Sequence, residues 1–200
     1  MILAVFGNEM QWNEIKKDIT DIEWLRLNSL NDITKDIDAI FIIEEDAIAD
    51  YNNLSTLYFI NSVSRTLKEL NAPENVLRIN GWHGFLSRSN WEIAGAINEK
   101  VIRIINALNK QFTQAPDEPG FIAARVLAMI INEAWFALEE KISTMAEIDT
   151  AMKLGTNYPY GPFEWGELIG EKNILKLLQK LSVESKRYSP APLLKQKVNK

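Results

Sequence analysis

A chain of 200 residues, 46% of them hydrophobic, can bury one generous core or two small ones. Its formal net charge of −5 gives phosphate backbones and anionic lipid surfaces nothing to attract, so nucleic acid is not an expected partner. The absence of cysteine removes disulfides and thiolate chemistry, a single histidine leaves little for a metal, and no apolar run reaches the roughly 20 residues of a bilayer span; with no basic leader ahead of the amino-terminal apolar run, the expectation is a soluble, cytoplasmic protein without metal.

Ile2 to Phe6 is a short apolar run closed by Gly7. Trp12, Ile15 and Ile19 follow at helical spacing, and Ile22 to Leu27 is apolar again, which predicts strand, helix, strand. Asp38 to Ile43, Leu57 to Ile60 and Val76 to Ile79 are short, continuous and rich in isoleucine and phenylalanine, as buried strands are, and the amphipathic stretch Val63 to Leu70 predicts a helix between the last two. A further strand is expected at Trp91 to Ala94, then a helix through Val101, Ile104, Ile105 and Leu108. Alternating strands and helices predict a small, mainly parallel α/β sheet.

Gln111 to Gly120 holds two prolines and a glycine and is expected to link two domains, 1–116 and 117–200. Beyond it the period is helical. A long helix is expected from Gly120 to Lys141, with Ile122, Val126, Leu127, Ile130, Ala134, Trp135 and Leu138 on its buried stripe. Thr144 and Glu147 have capping-box spacing, and Gly155 is expected to stop the helix that they start. Pro162 suits the first turn of a short helix ending at Gly170; Ile174 to Leu181 is the last amphipathic helix before Ser189 to Pro192 break the period. Tyr158, Phe163 and Trp165 are expected in the core of this all-α unit.

Three segments carry a resemblance. PGFIAAR (Pro119 to Arg125) runs on into Asn132, Glu133 and Ala134; IDTAMKLGTNYPYGPF covers Ile148 to Phe163; RYSPAPLL covers Arg187 to Leu194. In this order and spacing they resemble the C-terminal domain of the 3-hydroxyacyl-CoA dehydrogenases. The resemblance implies a reduced Rossmann-like domain followed by a helical domain like that of 6-phosphogluconate dehydrogenase. It also implies oxidoreductase chemistry on the CH–OH group of a hydroxyacyl substrate in fatty-acid metabolism, an acyl-CoA ligand, NAD as cofactor and a homodimer formed through the helical domain.

Such chemistry needs a base that works near neutral pH, and histidine oriented by a carboxylate suits it. His83, the only histidine, follows the Val76 to Ile79 strand, and Glu92 lies nine residues on; both fall where the family has its His and Glu. Asn61-Ser62-Val63-Ser64 resembles the family's Asn-Thr-Ser-Ser turn, so that Ser62 or Ser64 would contact the substrate hydroxyl. As an ordinary local device, the same serines would cap the next segment.

Two departures weigh against ordinary activity. Ala124 stands where the family has an asparagine after PGFI, and it has no side-chain hydrogen bond to offer. Dinucleotide binding uses GxGxxG after the first strand, whereas this chain has Gly7-Asn8-Glu9-Met10-Gln11-Trp12, leaving Gly7 as the sole cofactor-binding candidate and placing a carboxylate where pyrophosphate would approach. Only Asn28 is near the ribose position, and about ten residues separate it from Asp38, too few for the helical excursion that helps grip CoA in the family. The expected protein is 3-hydroxyacyl-CoA dehydrogenase-like with altered or lost NAD use; the alternative is a non-catalytic dimeric interaction or ligand-binding protein derived from that family.

Overall fold

A computed structural model describes every residue except 17, 18, 20, 31–35, 46, 48, 52, 54 and 200. The chain forms two compact units, Met1–Phe121 and Ile122–Lys200.

In the first unit the strands β1 (Ile2–Phe6), β2 (Glu23–Arg26), β3 (Ala39–Ile42), β4 (Leu57–Asn61), β5 (Val76–Ile79), β6 (Asn90–Ala94) and β7 (Gln111–Gln114) make one sheet in the order β2-β1-β3-β4-β5-β6-β7. Neighbours are parallel except β5 and β6. Strands β3, β4 and β5 are buried on both faces, which is why they read as continuous apolar runs. On one face, Leu3, Val5, Phe41, Phe59, Leu77 and Ile93 pack against Ile15 of α1 (Glu9–Lys16) and Val101, Ile104 and Ile105 of α2 (Glu99–Ala107). Phe41 and Phe59 stack across adjacent strands with ring centres 4.7 Å apart. On the other face, Ala4, Ile40, Ile42, Tyr58 and Ile60 are covered by Tyr51, Leu67, Leu70 and Ala72. The predicted helix over Val63 to Leu70 is instead a run of bends and turns. Its backbone is engaged elsewhere: Leu67 and Lys68 donate their N–H groups to the Asp117 carboxylate, at 2.9 and 3.3 Å.

Two further points concern the sheet. β6 runs antiparallel to β5, because the turn between them doubles back and carries no crossover helix. Gln111 to Gln114, read as linker, is the parallel edge strand β7; its exposed Gln-Phe-Thr-Gln pattern resembles linker because an edge strand buries little.

The second unit holds α3 (Ala123–Glu139), α4 (Met145–Thr156), α5 (Pro162–Ile169), α6 (Glu171–Ser182), a 3-10 turn at Lys186–Tyr188 and α7 (Pro192–Val198). The last helix was not expected: Pro192 breaks the period of α6 but is itself a permitted first-turn residue. The buried stripe of α3 is Ala124, Leu127, Ala128, Ile131, Asn132, Ala134 and Trp135, while Ile122 and Val126 are more than half exposed. Leu127, Ala134 and Trp135 of the expected stripe are buried as expected, and the stripe turns to take in Ala124 and Ala128, small residues that let neighbouring helices approach. The Thr144–Glu147 capping box is present. Gly155 does not stop α4: Asn157 does, in the left-handed conformation at φ 56°. Phe163 and Trp165 are buried as expected; Tyr158 is 38% exposed and leans edge-on against Trp165.

Candidate functional site in the first unit

The strand order reverses between β1 and β3, and ligands of open α/β sheets bind beyond the carboxyl ends of the strands at such a point. The carbonyl of Ile43, just past β3, accepts two side-chain amides there: Gln11 Nε2 at 3.0 Å and Asn61 Nδ2 at 2.9 Å. The Asn61 carbonyl oxygen in turn accepts Gly81 N at 2.9 Å, so one row of hydrogen bonds ties the ends of β3, β4 and β5. Gly81 has to be glycine, since a Cβ would stand 2.7 Å from Asn61 Cγ.

At the start of α1, Asn8 Oδ1 accepts Gln11 N at 2.9 Å and Gln11 Oε1 accepts Asn8 N at 3.0 Å, a reciprocal capping box. A Cβ on Gly7 would lie 2.9 Å from Gln11 Oε1 and 3.3 Å from Ile43 Cβ, so its tight surroundings are the glutamine and the end of β3. Glu9 forms an ion pair with Arg26 at the end of β2. Trp12, at the position of the motif's third glycine, leans on Trp24 at the sheet edge with ring centres 6.3 Å apart. Asn28 is exposed, and the stretch between it and Asp38 lies partly outside the described residues.

The two candidate serines follow Asn61 directly and are both buried. Ser62 donates its hydroxyl to the Arg65 carbonyl at 3.0 Å, whereas the buried Ser64 Oγ makes no hydrogen bond among the described residues. Their turn is held by Arg78, whose side chain is fully buried in β5. Arg78 donates Nε to Ser62 O at 2.8 Å and Nη2 to Val63 O and Glu118 O at 3.3 and 3.2 Å, and its Nη1 pairs with Asp117 at 2.7 Å. Burial pulls the guanidinium below its ordinary value, against which the Asp117 carboxylate works. The Phe121 ring lies beneath the guanidinium, 4.6 Å from it. Through these bonds Asp117 to Phe121 are fastened to the sheet. A cavity of about 280 Å³ at the end of β4 is lined by Tyr51, Asn61, Ser62 and Arg65 among others.

His83 lies in the turn after β5, two residues beyond the Gly81 that Asn61 holds. The serine and histidine turns therefore start from one clamp. Glu92 is half-buried on β6, where continuing the Ile79–Ile93 register sets it opposite Asn80. A carboxylate that sequence reasoning passed over also reaches this turn: Glu14 of α1 accepts Ser87 N at 3.0 Å on Oε1, and its Oε2 lies 4.0 Å from His83 Nδ1. Gly7, Ser62, Ser64, His83 and Glu92 thus all belong to the edge of the sheet formed by the carboxyl ends of β1, β4 and β5. Among the described residues no group of His, Asp or Glu side chains could hold a metal ion.

In the second unit hydrogen bonds tie Asn132 to the last of the resembling segments and close the middle one on itself. Asn132 gives Nδ2 to Ser189 O at 3.0 Å and accepts Ala191 N at 2.8 Å. Asp149 accepts Phe163 N at 2.8 Å and Glu164 N at 3.3 Å, capping α5 from α4. Its burial raises the carboxyl above the ordinary range, opposed by these N–H groups. Gly161 lies so close that a Cβ would fall 2.3 Å from Asp149. Ala124 is fully buried in the first turn of α3.

Comparison with known proteins places these observations. The model of the C-terminal domain of 3-hydroxyacyl-CoA dehydrogenase matches residues 120–200. The chain is 42% identical over 111 residues to the 3-hydroxyadipyl-CoA dehydrogenase of Escherichia coli, covering 52% of this chain and 23% of that protein. It is 29% identical over 193 residues to the 3-hydroxybutyryl-CoA dehydrogenase of Clostridioides difficile, covering 89% and 66%. The chain thus spans only part of the length of these relatives. The structure of (S)-3-hydroxybutyryl-CoA dehydrogenase from Ralstonia eutropha has the same fold at a TM-score of 0.69 and 18% identity, covering 99% of this chain and 93% of that one.

Proposed function

We propose that this chain, whose residues 120–200 match the C-terminal domain of the 3-hydroxyacyl-CoA dehydrogenase family, recognises a hydroxyacyl or ketoacyl group carried on CoA but no longer holds NAD as that family does. The family is one of NAD-dependent dehydrogenases. The observation that carries the proposal is the Asn8–Gln11 capping box. A dinucleotide's pyrophosphate is held by backbone N–H groups at the start of the first helix, approached closely because glycines leave room. Here the Asn8 and Gln11 N–H groups already donate to each other's side chains, and Gln11 Nε2 crosses to Ile43 O at the point where the strand order reverses. Glu9 sets a carboxylate beside them, paired with Arg26. These residues do not fit a pyrophosphate.

The acyl end of the site is better kept. In this reading the His83 imidazole faces the oxygen on C3 of the acyl chain, and Ser64 is favoured over Ser62 for the second contact because the Ser62 hydroxyl is committed to Arg65 O. Gly81, Asn61 and Arg78 hold the two turns in place. Assembly as a homodimer in the cytoplasm, through the second unit, belongs to the same proposal; the exposed Ile122 and Val126 on α3 support it.

Calorimetric titration of the purified chain with NADH, NAD and acetoacetyl-CoA tests the reading. Heat is expected with acetoacetyl-CoA and none with either nucleotide. Micromolar binding of NADH would show that another cradle has replaced the glycine loop and would restore the dehydrogenase reading. A folded protein that binds none of the three would be a non-catalytic member of the family.

A further inference from the structure

We infer that Glu14, a residue of the first helix, is the carboxylate that positions His83. The inference deepens the role given to His83 above and rests on that reading for its functional meaning. Glu14 is nine-tenths buried, and its two oxygens do different things. Oε1 accepts the backbone N–H of Ser87 at 3.0 Å. Oε2 is buried, makes no hydrogen bond among the described residues, and lies 4.0 Å from Nδ1 of His83, whose side chain is itself four-fifths buried.

A carboxylate oxygen withdrawn from water without a donor is destabilised. At 4.0 Å the pair is too long for a hydrogen bond, yet a modest turn of the imidazole closes the gap and supplies the donor. A carboxylate facing Nδ1 keeps the proton on that nitrogen, which leaves Nε2 with its lone pair, the form able to accept a proton from a hydroxyl. Because Oε1 simultaneously holds Ser87, Glu14 grips the turn at two points and fixes the direction of the ring as well as its tautomer. Leu86, packed among the side chains of that face of the sheet, and Trp91, whose Nε1 donates to Leu86 O at 3.0 Å, keep the turn beside α1. Glu92 is the carboxylate that sequence position suggests; Glu14 comes to the ring from α1, far earlier in the chain, which no local spacing reveals.

The chain has one histidine, so selective ¹⁵N labelling yields a single pair of ring signals. In the unmodified protein at alkaline pH, Nδ1 is expected in the protonated position of the spectrum and Nε2 in the unprotonated one. In E14Q the amide oxygen keeps the bond to Ser87 N, which turns the NH₂ group toward Nδ1, and the two signals exchange positions. An E14Q spectrum in which Nδ1 stays protonated overturns the inference, as does E92Q producing the exchange while E14Q does not. Should the backbone amide spectrum show E14Q to be unfolded, E14A is read instead: a mixture of tautomers is expected, and retention of the Nδ1–H form overturns the assignment. The measurement needs neither nucleotide nor acyl-CoA, so failure of the ligand titrations leaves it standing and its own failure leaves them untouched.

Discussion

Replacing Arg78 with methionine isolates the device that holds the serine turn. The arginine is wholly buried and donates to the carbonyls of Ser62, Val63 and Glu118 and to the Asp117 carboxylate. Methionine fills much of the stem's volume and donates nothing. Breaking a buried ion pair from one side costs about 3–5 kcal/mol. The low end applies here, because Asp117 is 31% exposed and keeps its bonds to Leu67 N and Lys68 N, while Val63 O keeps Gly120 N. The expected loss is about 3 kcal/mol; with a urea m-value of about 1.5 kcal/mol/M that lowers the first unit's unfolding midpoint by about 2 M. D117N is expected to cost at least as much although it alters the more exposed partner, since it leaves a cation buried without its counter-charge. The double variant should lose less than the two singles added together. Urea titrations of the four proteins decide the matter: R78M within about 1 kcal/mol of the parent, or additive losses, would refute the claim that this pair holds the turn.

Gly161→Ala should destabilise the second unit by about 2 kcal/mol, because the new methyl falls on Asp149 and breaks the cap of α5; differential scanning calorimetry reads it as a lower midpoint. Gly155→Ala should do the reverse by about 0.5–1 kcal/mol, since that glycine sits inside α4 with no atom within 4 Å of a Cβ, and no rise in midpoint would count against the helical assignment there. Asn132→Leu removes the acceptor of Ala191 N, so that amide should exchange with deuterium faster relative to its neighbours, at a stability cost of about 1–3 kcal/mol. Acid should weaken the second unit. Glu147 and Glu164 are both held below the ordinary glutamate value of 4.5, Glu147 first by the Ser143 hydroxyl and Glu164 first by Lys153; their stabilisation is complete above that value and disappears as pH falls through the lowered ones. Asp149 runs the other way, its raised carboxyl making ionisation a cost, so an E147Q/E164Q protein should have a flatter stability profile on the acid side than the parent.

Buried strands and amphipathic helices were legible because burial writes itself as periodicity. β3 and β4 appear as apolar runs, and Thr144 with Glu147 three residues on marks the start of α4. Elements that bury little left no such trace: β7 carries two glutamines and a threonine in four residues, and α7 begins on the proline that seems to end the domain. The candidate site was legible only in part, for a different reason. Gly7 to Trp12 reads as a damaged glycine loop, yet the same six residues contain Asn8 and Gln11 at capping-box spacing, a positive signal masked by the expectation of a ligand. Arg78 was signalled by its charge within the apolar run Val-Leu-Arg-Ile, although the partner 39 positions away was not. Glu14 carried no signal, because its tie to Ser87 spans 73 positions.

The two halves of the chain differ in how readily they are recognised because their motif residues serve different masters. Asn132 holds the carboxyl-terminal tail from α3, and Asp149 caps α5 from α4 in the space that Gly161 leaves; removing any one costs on the order of 1–3 kcal/mol of a stability that is typically 5–15. That demand persists whether or not the protein performs chemistry, so a strong match over residues 120–200 says little about catalysis. A glycine-rich loop answers mainly to its ligand. Once no pyrophosphate has to approach, glycines at the start of α1 only enlarge the entropy lost on folding, and a box such as Asn8–Gln11 adds about 1 kcal/mol of helix stability in their place. The motif that resembles the family well is therefore the one that stability alone maintains, and whether this chain still acts on a hydroxyl is decided in the first unit, by Gln11 at the end of β3 and by the imidazole that Glu14 faces.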